Sequence, residues 1–223
     1  TLDGSGAQNI NGDAAKQPIF TRLTSNNTGS GTALNVTSTV STDLTFTSGN
    51  ITTGSNILIM GNTATVTHPL PTSGHVIGNF RKYISSSAVK TFEVGTSSGY
   101  KWIDITFPTV SVAGNVTVSC TALDHPQIGG SCIDANKSVN AYWTITNAGV
   151  TPNNYNVTMN YAAGDLDGGV TPGNFGVGLY NVSTWSTPTI SGTPTGTATS
   201  VTGLTVSPAN LQIGESATGA PSV

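Results

Sequence analysis

Charged side chains are scarce in this sequence, and so are cysteine, methionine and long apolar runs. Lys and Arg number 7 and Asp and Glu number 10 among 223 residues, which is 8% charged, whereas about a quarter is usual. The net charge of −3 excludes the basic footprint of a nucleic-acid-binding protein. The basic residues that do fall close together are interpreted as one solvated strand face: Arg81, Lys82, Lys90 and Lys101.

No apolar stretch is long enough to cross a bilayer, since even the longest are of the size of Ile57–Met60. The sequence starts at Thr1 without an initiator Met, as removal of a signal peptide or a boundary inside a longer protein would leave it. Ser and Thr together number 61 and Gly 27, so the surface is rich in hydroxyls and backbone amides. We therefore expect an extracellular or cell-surface protein that is glycosylated or packs against copies of itself.

The chain has two cysteines, Cys120 and Cys132. Their separation is too long for a CxxC redox motif, and no pair of histidines stands nearby at zinc-ligand spacing. In an exported protein the simplest prediction is one disulfide between them, which closes the loop Thr121–Ser131. Two free thiols in a reducing compartment are the alternative.

Apolar and polar residues alternate with a period of two along most of the chain, which predicts an all-β protein. Clear examples of predicted strands are His75–Ile84, Trp102–Phe107 and Val139–Thr146. Many short strands at spacings near ten residues are typical of a β-sandwich. The region 75–215 contains all three Trp and all six Tyr, and alternation places Trp143 in its core.

The N-terminal region shows a different pattern. Two apolar residues flanking one position recur at Leu34–Val36, Leu44–Phe46 and Ile57–Ile59. A short β-solenoid, in which each rung buries its apolar face on the next, gives this pattern, and so do stacked hairpins. The predicted organisation is an N-terminal β region at 1–74, a β-sandwich at 75–215 and a C-terminal tail at 216–223.

Several short motifs follow one another in a characteristic order: Gly78–Tyr83, Thr91–Gly95, His125–Ile128, Ile133-Asp134, Asn140–Ile145, Trp185 and Leu211–Glu215. Their order and spacing resemble a module repeated in large secreted bacterial surface proteins, many of which carry a C-terminal sorting domain. The resemblance spans about residues 30–215 and implies an immunoglobulin-like sandwich exposed at the cell surface. It implies no catalytic residues.

Candidate catalytic and metal-binding residues are few. Asp165 and Asp167 resemble the start of a calcium loop, but no third Asp or Asn and no distal Glu completes the pattern. The histidines His68, His75 and His125 fit no catalytic motif and are interpreted as loop residues with local hydrogen bonds. We therefore expect a protein that is not an enzyme and that has no cofactor.

Two features are suited to surface recognition. Exposed aromatic rings can form a sugar-binding platform, and the candidates are Trp185, Tyr180 and Tyr155, although Trp in a sandwich is more often a core residue. Asn-x-Ser/Thr acceptor motifs for glycans are about as frequent as this composition gives by chance. They place possible glycosylation at Asn26, Asn35, Asn50, Asn115, Asn136, Asn156 and Asn181.

The leading hypothesis is an extracellular structural protein, the self-assembling subunit of a surface filament or layer. Its partners would be copies of itself, since edge strands of a sheet accept a strand from another chain. The segment Thr1–Phe20 has no core of its own, so we expect it to pair with a neighbouring subunit; folding back on its own domain is the alternative. The second hypothesis is an adhesin or carbohydrate-binding module of a larger secreted protein.

Overall fold

The computed structural model describes residues 1–68, 70 and 72–217 and confirms an all-β chain, with 62% strand and 4% helix. The strands up to residue 67 are β1 (Leu2–Gly4), β2 (Gln8–Ile10), β3 (Ile19–Asn27), β4 (Thr32–Leu34), β5 (Ser38–Ser48), β6 (Ile51–Met60) and β7 (Thr65–Thr67). The next group is β8 (Val76–Ile84), β9 (Ala88–Phe92), β10 (Val94–Thr96), β11 (Gly99–Tyr100), β12 (Ile103–Phe107), β13 (Val110–Val112) and β14 (Gly114–Ala122). The last are β15 (Ile133–Ala148), β16 (Thr151–Pro152), β17 (Tyr155–Asn160), β18 (Phe175–Asn181), β19 (Thr184–Ser186), β20 (Thr189–Ile190), β21 (Ala198–Leu204) and β22 (Ala209–Ser216).

Three short 3-10 helices accompany the strands, at Ile128–Gly130, Ala163–Asp165 and Pro172–Asn174. In the part of the chain that the structure describes, no helix has the length and apolar character needed to cross a membrane.

The N-terminal strands form a solenoid-like arrangement of parallel ladders. One ladder runs β1–β3–β5–β7 and another runs β2–β4–β6–β8–β10. The first brings Leu23, Leu44 and Val66 into register, so equivalent positions of successive rungs stack on each other. Strands joined by short hairpins would be antiparallel, so the solenoid is the correct one of the two predicted alternatives.

Each rung buries its apolar residues on the next one. In β5, Leu44 and Phe46 are fully buried while Thr45 between them points the other way, as the two-residue period of a strand requires. Buried Asn27 fixes the corner after β3, because its Oδ1 accepts the backbone N–H groups of Gly29 and Gly31. The predicted pairs Leu34–Val36 and Leu44–Phe46 are therefore inward-facing positions, whereas in β6 the pair Ile57–Ile59 is only partly buried and Leu58 and Met60 face the core instead.

Strand β8 belongs to both parts of the molecule, pairing parallel with β6 and antiparallel with β14. From it an antiparallel sheet continues in the order β8–β14–β15–β22–β18–β19, and a second sheet has the order β9–β12–β17–β21–β20. The two sheets face each other: the rings of Phe80 on β8 and Phe92 on β9 meet edge to face, with centroids 6.4 Å apart. Trp143 lies between them with no exposed surface, as predicted. The finer prediction, an immunoglobulin-like sandwich, is not confirmed.

The N-terminal segment folds back on its own chain. Strand β1 pairs with β3 and β2 pairs with β4, so the structure shows the stated alternative, in which Thr1–Phe20 folds back on its own domain. The second rung provides the missing core, since Ile10 lies in register with Leu34 and is only 5% exposed. Of the predicted tail at 216–223, residues 218–223 lie outside the described residues, as do Pro69 and Pro71 at the predicted boundary.

Candidate functional site

A group of aromatic rings lies on the outer face of the larger sheet, beside the β18–β19 hairpin. Along these strands Leu179 and Leu211 are buried in the core, so Tyr180, Gln212 and Tyr142 lie on the opposite face. Segment 123–132, which follows β14, folds across this outer face. The aromatic group therefore lies between the sheet and a covering loop.

Gln212 fixes the covering loop to the sheet. Its Oε1 accepts the backbone N–H of His125 at 2.9 Å, and its Nε2 donates to the carbonyl of Val139 at 2.9 Å and to Asp124 Oδ1 at 3.2 Å. The side chain is fully buried, so water does not compete for these bonds. Burial of the Asp124 carboxyl raises its pKa, and its hydrogen bonds from Ser138 and Gln212 oppose that rise.

His125 lies at the centre of the aromatic group. Its ring centroid is 4.6 Å from that of Tyr180, 4.9 Å from that of Tyr142 and 5.1 Å from that of Trp185. Its Nδ1 accepts the N–H of Gln127 at 3.2 Å, which is the arrangement of a neutral imidazole, and desolvation lowers the pKa of the ring. The interpretation of His125 as a simple loop residue is incomplete, because its ring is a buried packing element.

Trp185 is held on three sides. Its indole N–H donates to the carbonyl of Gln127 at 3.0 Å, and His125 meets its ring edge to face. Below it lies Gly178, where an added Cβ would stand 2.9 Å from the indole ring. Because only glycine leaves this space, the indole lies flat on the sheet in one fixed orientation.

A cleft of about 610 Å³ opens between the covering loop and the hairpin, next to this ring. Its lining combines two aromatic rings with hydroxyls, an amide and glycine backbone: Pro126, Gln127, Gly129, Gly130, Tyr180, Ser183, Thr184 and Trp185. Among the described residues, none that lines the cleft carries a charge at neutral pH. Tyr180 and Trp185 are both partly exposed, so their rings are accessible from the cleft.

The third aromatic candidate lies elsewhere. Tyr155 is 5% exposed, packs against Phe107 and donates its hydroxyl to the carbonyl of Val206 at 2.7 Å. It is a core residue at the end of the two sheets, beside a cavity of about 230 Å³ that is lined by both apolar and polar residues. The structure thus brings together two of the three predicted platform residues.

A second aromatic stack lies where the solenoid meets the two sheets. The ring of Tyr100 stacks on His68 at 4.4 Å and on Trp102 at 4.8 Å. His75 lies beside it and is 4% exposed, with its Nε2 bonded to the carbonyl of Thr96. Since these rings stack on one another, their faces are largely occupied.

The acidic pair Asp165 and Asp167 is engaged by protein donors. Asp165 Oδ1 lies 2.8 Å from Lys101 Nζ, and its Oδ2 accepts the N–H of Ala162. Both carboxylate oxygens of Asp167 also accept hydrogen bonds, from Asn140 and Ser138. In the described part of the chain no group of three or more His, Cys, Asp or Glu side chains is placed to hold a metal ion.

Four basic residues were predicted to form a solvated strand face, and for two of them, Lys82 and Lys101, this prediction is wrong. The Lys101 side chain is 1% exposed and is buried against Asp165. Lys82 lies 2.6 Å from Glu93, and desolvation lowers the pKa of its ammonium group although Glu93 opposes the effect. From sequence a lysine is predicted to be exposed, because burying an unpaired charge costs a large free energy. The partner carboxylates, Asp165 and Glu93, are evident only from the structure.

The two cysteines are free thiols in the structure, which corrects the predicted disulfide. Cys120 is in register with Trp143, and Trp143 with Leu211 of β22, whereas the carbonyl of Cys132 accepts the N–H of Ala217. The distance along β22 from Leu211, on the Cys120 side, to Ala217, beside Cys132, is about 20 Å. A disulfide allows only roughly 7 Å between Cα atoms. Burial raises the pKa of the Cys120 thiol, so it is an inert core group.

The seven acceptor-motif asparagines differ in exposure. Asn35 and Asn136 are exposed, whereas Asn26, Asn50, Asn115, Asn156 and Asn181 are partly buried. Some of the partly buried asparagines use their side chains in hydrogen bonds to the backbone. Asn50 Oδ1 accepts the N–H of His75, and Asn156 Oδ1 accepts the N–H of Gly203. Of the motif asparagines, Asn35 and Asn136 are the two most open to modification.

Comparisons with known protein families, curated proteins and solved structures give no match to this chain. The sequence contained one signal for the covering loop, the motif His125–Ile128, but nothing in it placed that motif against Trp185.

Proposed function

We propose that this chain is an extracellular structural protein, a self-assembling subunit of a surface filament or layer with no catalytic role. The observation that carries the proposal is the outer edge of the first solenoid rung. Strands β1 and β2 each pair on one side only, with β3 and β4, within the residues that the structure describes. A parallel ladder with a free edge accepts a further strand from a second copy of the chain.

The hydrogen-bond pattern identifies which groups are free at this edge. The N–H of Gln8 donates to Gly31 and the carbonyl of Ile10 accepts from Asn35, so both face β4. Because these groups alternate in direction along a parallel strand, the N–H and carbonyl of Asn9 between them face outwards. Asn9 is exposed, and its backbone groups are available to a neighbouring strand.

The charge distribution also favours association. The four ion pairs found in the described ranges engage eight of the 17 charged residues: Arg22–Asp43, Lys82–Glu93, Lys101–Asp165 and Lys137–Glu215. The other nine charged residues are sparse for a chain of 223 residues, and β2 contains no Lys or Arg to block edge pairing.

Asn9→Pro tests the proposal, with Asn9→Ala as the matched control. Proline removes the outward N–H and leaves the bonds to β4 in place, because Asn9 does not donate to β4. We expect filaments or sheets from the native chain and from Asn9→Ala in electron micrographs, and isolated particles from Asn9→Pro. Isolated particles from the native chain at high concentration would refute self-assembly, and unchanged filaments from Asn9→Pro would refute this edge.

A further inference from the structure

The aromatic cleft beside β18 and β19 has the construction of a binding site, and it is independent of the proposed assembly edge. Its main wall, Trp185, is fixed by the Gln127 carbonyl, by His125 and by the space above Gly178. The loop opposite is fixed in turn by fully buried Gln212. A rigid wall and a rigid loop mean that a ligand would find the site already formed, without an ordering cost.

Backbone strain is concentrated in the two segments that frame the cleft. Leu123, at the start of the covering loop, has φ 69°, and Val182, at the tip of the β18–β19 hairpin, has φ 55°. In the described part of the chain these are the non-glycine residues with positive φ, and they are 71% and 75% exposed. A β-branched or bulky residue rarely adopts this conformation, and such strain is found most often at ligand-binding and active sites.

The lining specifies the chemistry of the ligand. The partly exposed rings of Trp185 and Tyr180 line the cleft, and an aromatic face attracts the weakly positive C–H groups of an apolar ring face. Ser183 and Thr184 add hydroxyls that both donate and accept hydrogen bonds, and no charged lining residue is described that would favour an ionic ligand. A ligand with a flat C–H face and a rim of hydroxyls matches this lining. We propose that the cleft binds a neutral oligosaccharide, with one sugar ring stacked on Trp185.

A proline-rich peptide also binds to aromatic grooves, but the geometry favours the sugar. Such grooves use a tryptophan or tyrosine both as an apolar wall and as a polar group for the peptide backbone. Here the indole N–H of Trp185 is already bonded to the Gln127 carbonyl, so the ring offers a ligand only its face. Sugar stacking needs only that face.

The experiment is a titration of the 15N-labelled Asn9→Pro chain, which is expected to remain as isolated particles, with cellohexaose, chitohexaose and mannohexaose, each up to about 10 mM, the range for a weak single-ring contact. The indole N–H signals of the three Trp residues report the site directly. We expect one of the three sugars to shift the Trp185 signal in a saturable way. The signal of fully buried Trp143 is the internal control and stays in place.

Variants distinguish stacking from a general effect on the fold. Because variants at position 185 lack the reporting indole, their binding is followed by the backbone N–H signals of the lining residues Gln127 and Ser183. Trp185→Ala weakens binding at least about tenfold, whereas Trp185→Phe retains part of it because a ring face remains. Trp102→Ala removes another partly exposed indole, outside the cleft, and leaves binding unchanged. Should Trp185→Ala fail to fold, Ser183→Arg provides the same test, since it fills the cleft from an exposed position.

Three results would overturn the proposal. The first is the absence of any shift with all three sugars. The second is a saturable shift of the Trp185 signal with a poly-L-proline peptide and none with the sugars. The third is a Trp185 signal that moves with protein concentration alone, which would identify a second copy of the chain as the occupant.

Discussion

The solenoid-like part and the two-sheet part of this chain build their cores in different ways. In the solenoid, parallel rungs place like residues on one another, as Leu23 and Leu44 show. Its buried polar residues, such as Asn27, bind the backbone at corners between strands. In the two-sheet part, single large or charged side chains such as Trp143 and Lys101 occupy positions that have no equivalent elsewhere.

The treatment of charge shows the same difference. The ion pair of the solenoid, Arg22–Asp43, has an arginine side chain that is 75% exposed, whereas Lys101–Asp165 is almost wholly buried. The stacked inward positions of the solenoid, such as Leu23 and Leu44, are apolar, so a charge buried among them would lack a partner. A core between two different sheets can accommodate one charge with one partner.

The largest expected effects come from the two core aromatics. Phe46→Ala and Trp143→Ala each remove a ring with no exposed surface, and each lowers the free energy of unfolding by about 3–5 kcal/mol. Since β8 is shared by both parts, Phe46→Ala lowers the midpoint measured by tryptophan fluorescence as much as that measured by circular dichroism. Urea titration with both probes checks this.

Thr47→Ala is the control for the solenoid variant, because Thr47 is the exposed neighbour of Phe46 on β5. Trp143 and Trp185 lie in the two-sheet part, and Trp102 stacks on Tyr100 at the junction with the solenoid, so fluorescence reports mainly the two-sheet part. If Phe46→Ala shifted only the circular dichroism transition, the two parts would unfold independently and β8 would not couple them.

The next largest effect concerns the buried charge. Lys101→Met leaves Asp165 buried without its cation, so the free energy of unfolding falls by about 3 kcal/mol or more. Adding Asp165→Leu recovers most of this loss, because no lone charge then remains. Lys137→Met is the matched control: its pair with Glu215 spans 3.4 Å with the lysine 44% exposed, and its loss costs less than about 1 kcal/mol. Equal losses for the two single variants would contradict the argument.

A smaller, pH-dependent effect is expected at the junction of the two parts. Burial lowers the pKa of His75 in the folded chain below its ordinary 6.5. At a pH between the lowered pKa and 6.5, the unfolded chain therefore binds the proton more tightly than the folded chain does. The free energy of unfolding therefore falls as the pH drops through about 6.5. His75→Gln keeps a donor for the Thr96 carbonyl but does not titrate, and its stability depends less on pH. Urea titrations between about pH 5 and 8 measure both slopes, and identical slopes would exclude this role for His75.

The smallest effect is expected at the surface of the solenoid. Arg22→Ala removes an ion pair with N–O distance 3.0 Å, but Asp43 keeps its hydrogen bond from Thr65. The free energy of unfolding should change by less than about 1 kcal/mol, and the difference should vanish at high salt. A loss as large as that of Lys101→Met would mean that the solenoid depends on this pair.

Much of the fold could be predicted from the sequence, and less of the site. Alternation identified Trp143 as buried and placed β8 and β12 close to their observed bounds. The pairs Leu34–Val36 and Leu44–Phe46 gave the apolar rows of the solenoid but left parallel rungs and hairpins open. At the site Tyr180 and Trp185 were identified, whereas Tyr155 was misplaced, because alternation does not tell which sheet face a loop covers.

By itself the sequence determined the features that depend on residues close together along the chain. The two-residue period set the inward side of each strand, and the scarcity of charge set a nearly neutral surface. Only the tertiary structure decided the contacts between residues that lie far apart along the chain. It paired Lys101 with Asp165, separated Cys120 from Cys132, and placed His125 and Gln127 against Trp185. The reason is that strand pairing and loop placement bring together segments dozens of residues apart, and the free energy of those contacts is absent from any local pattern.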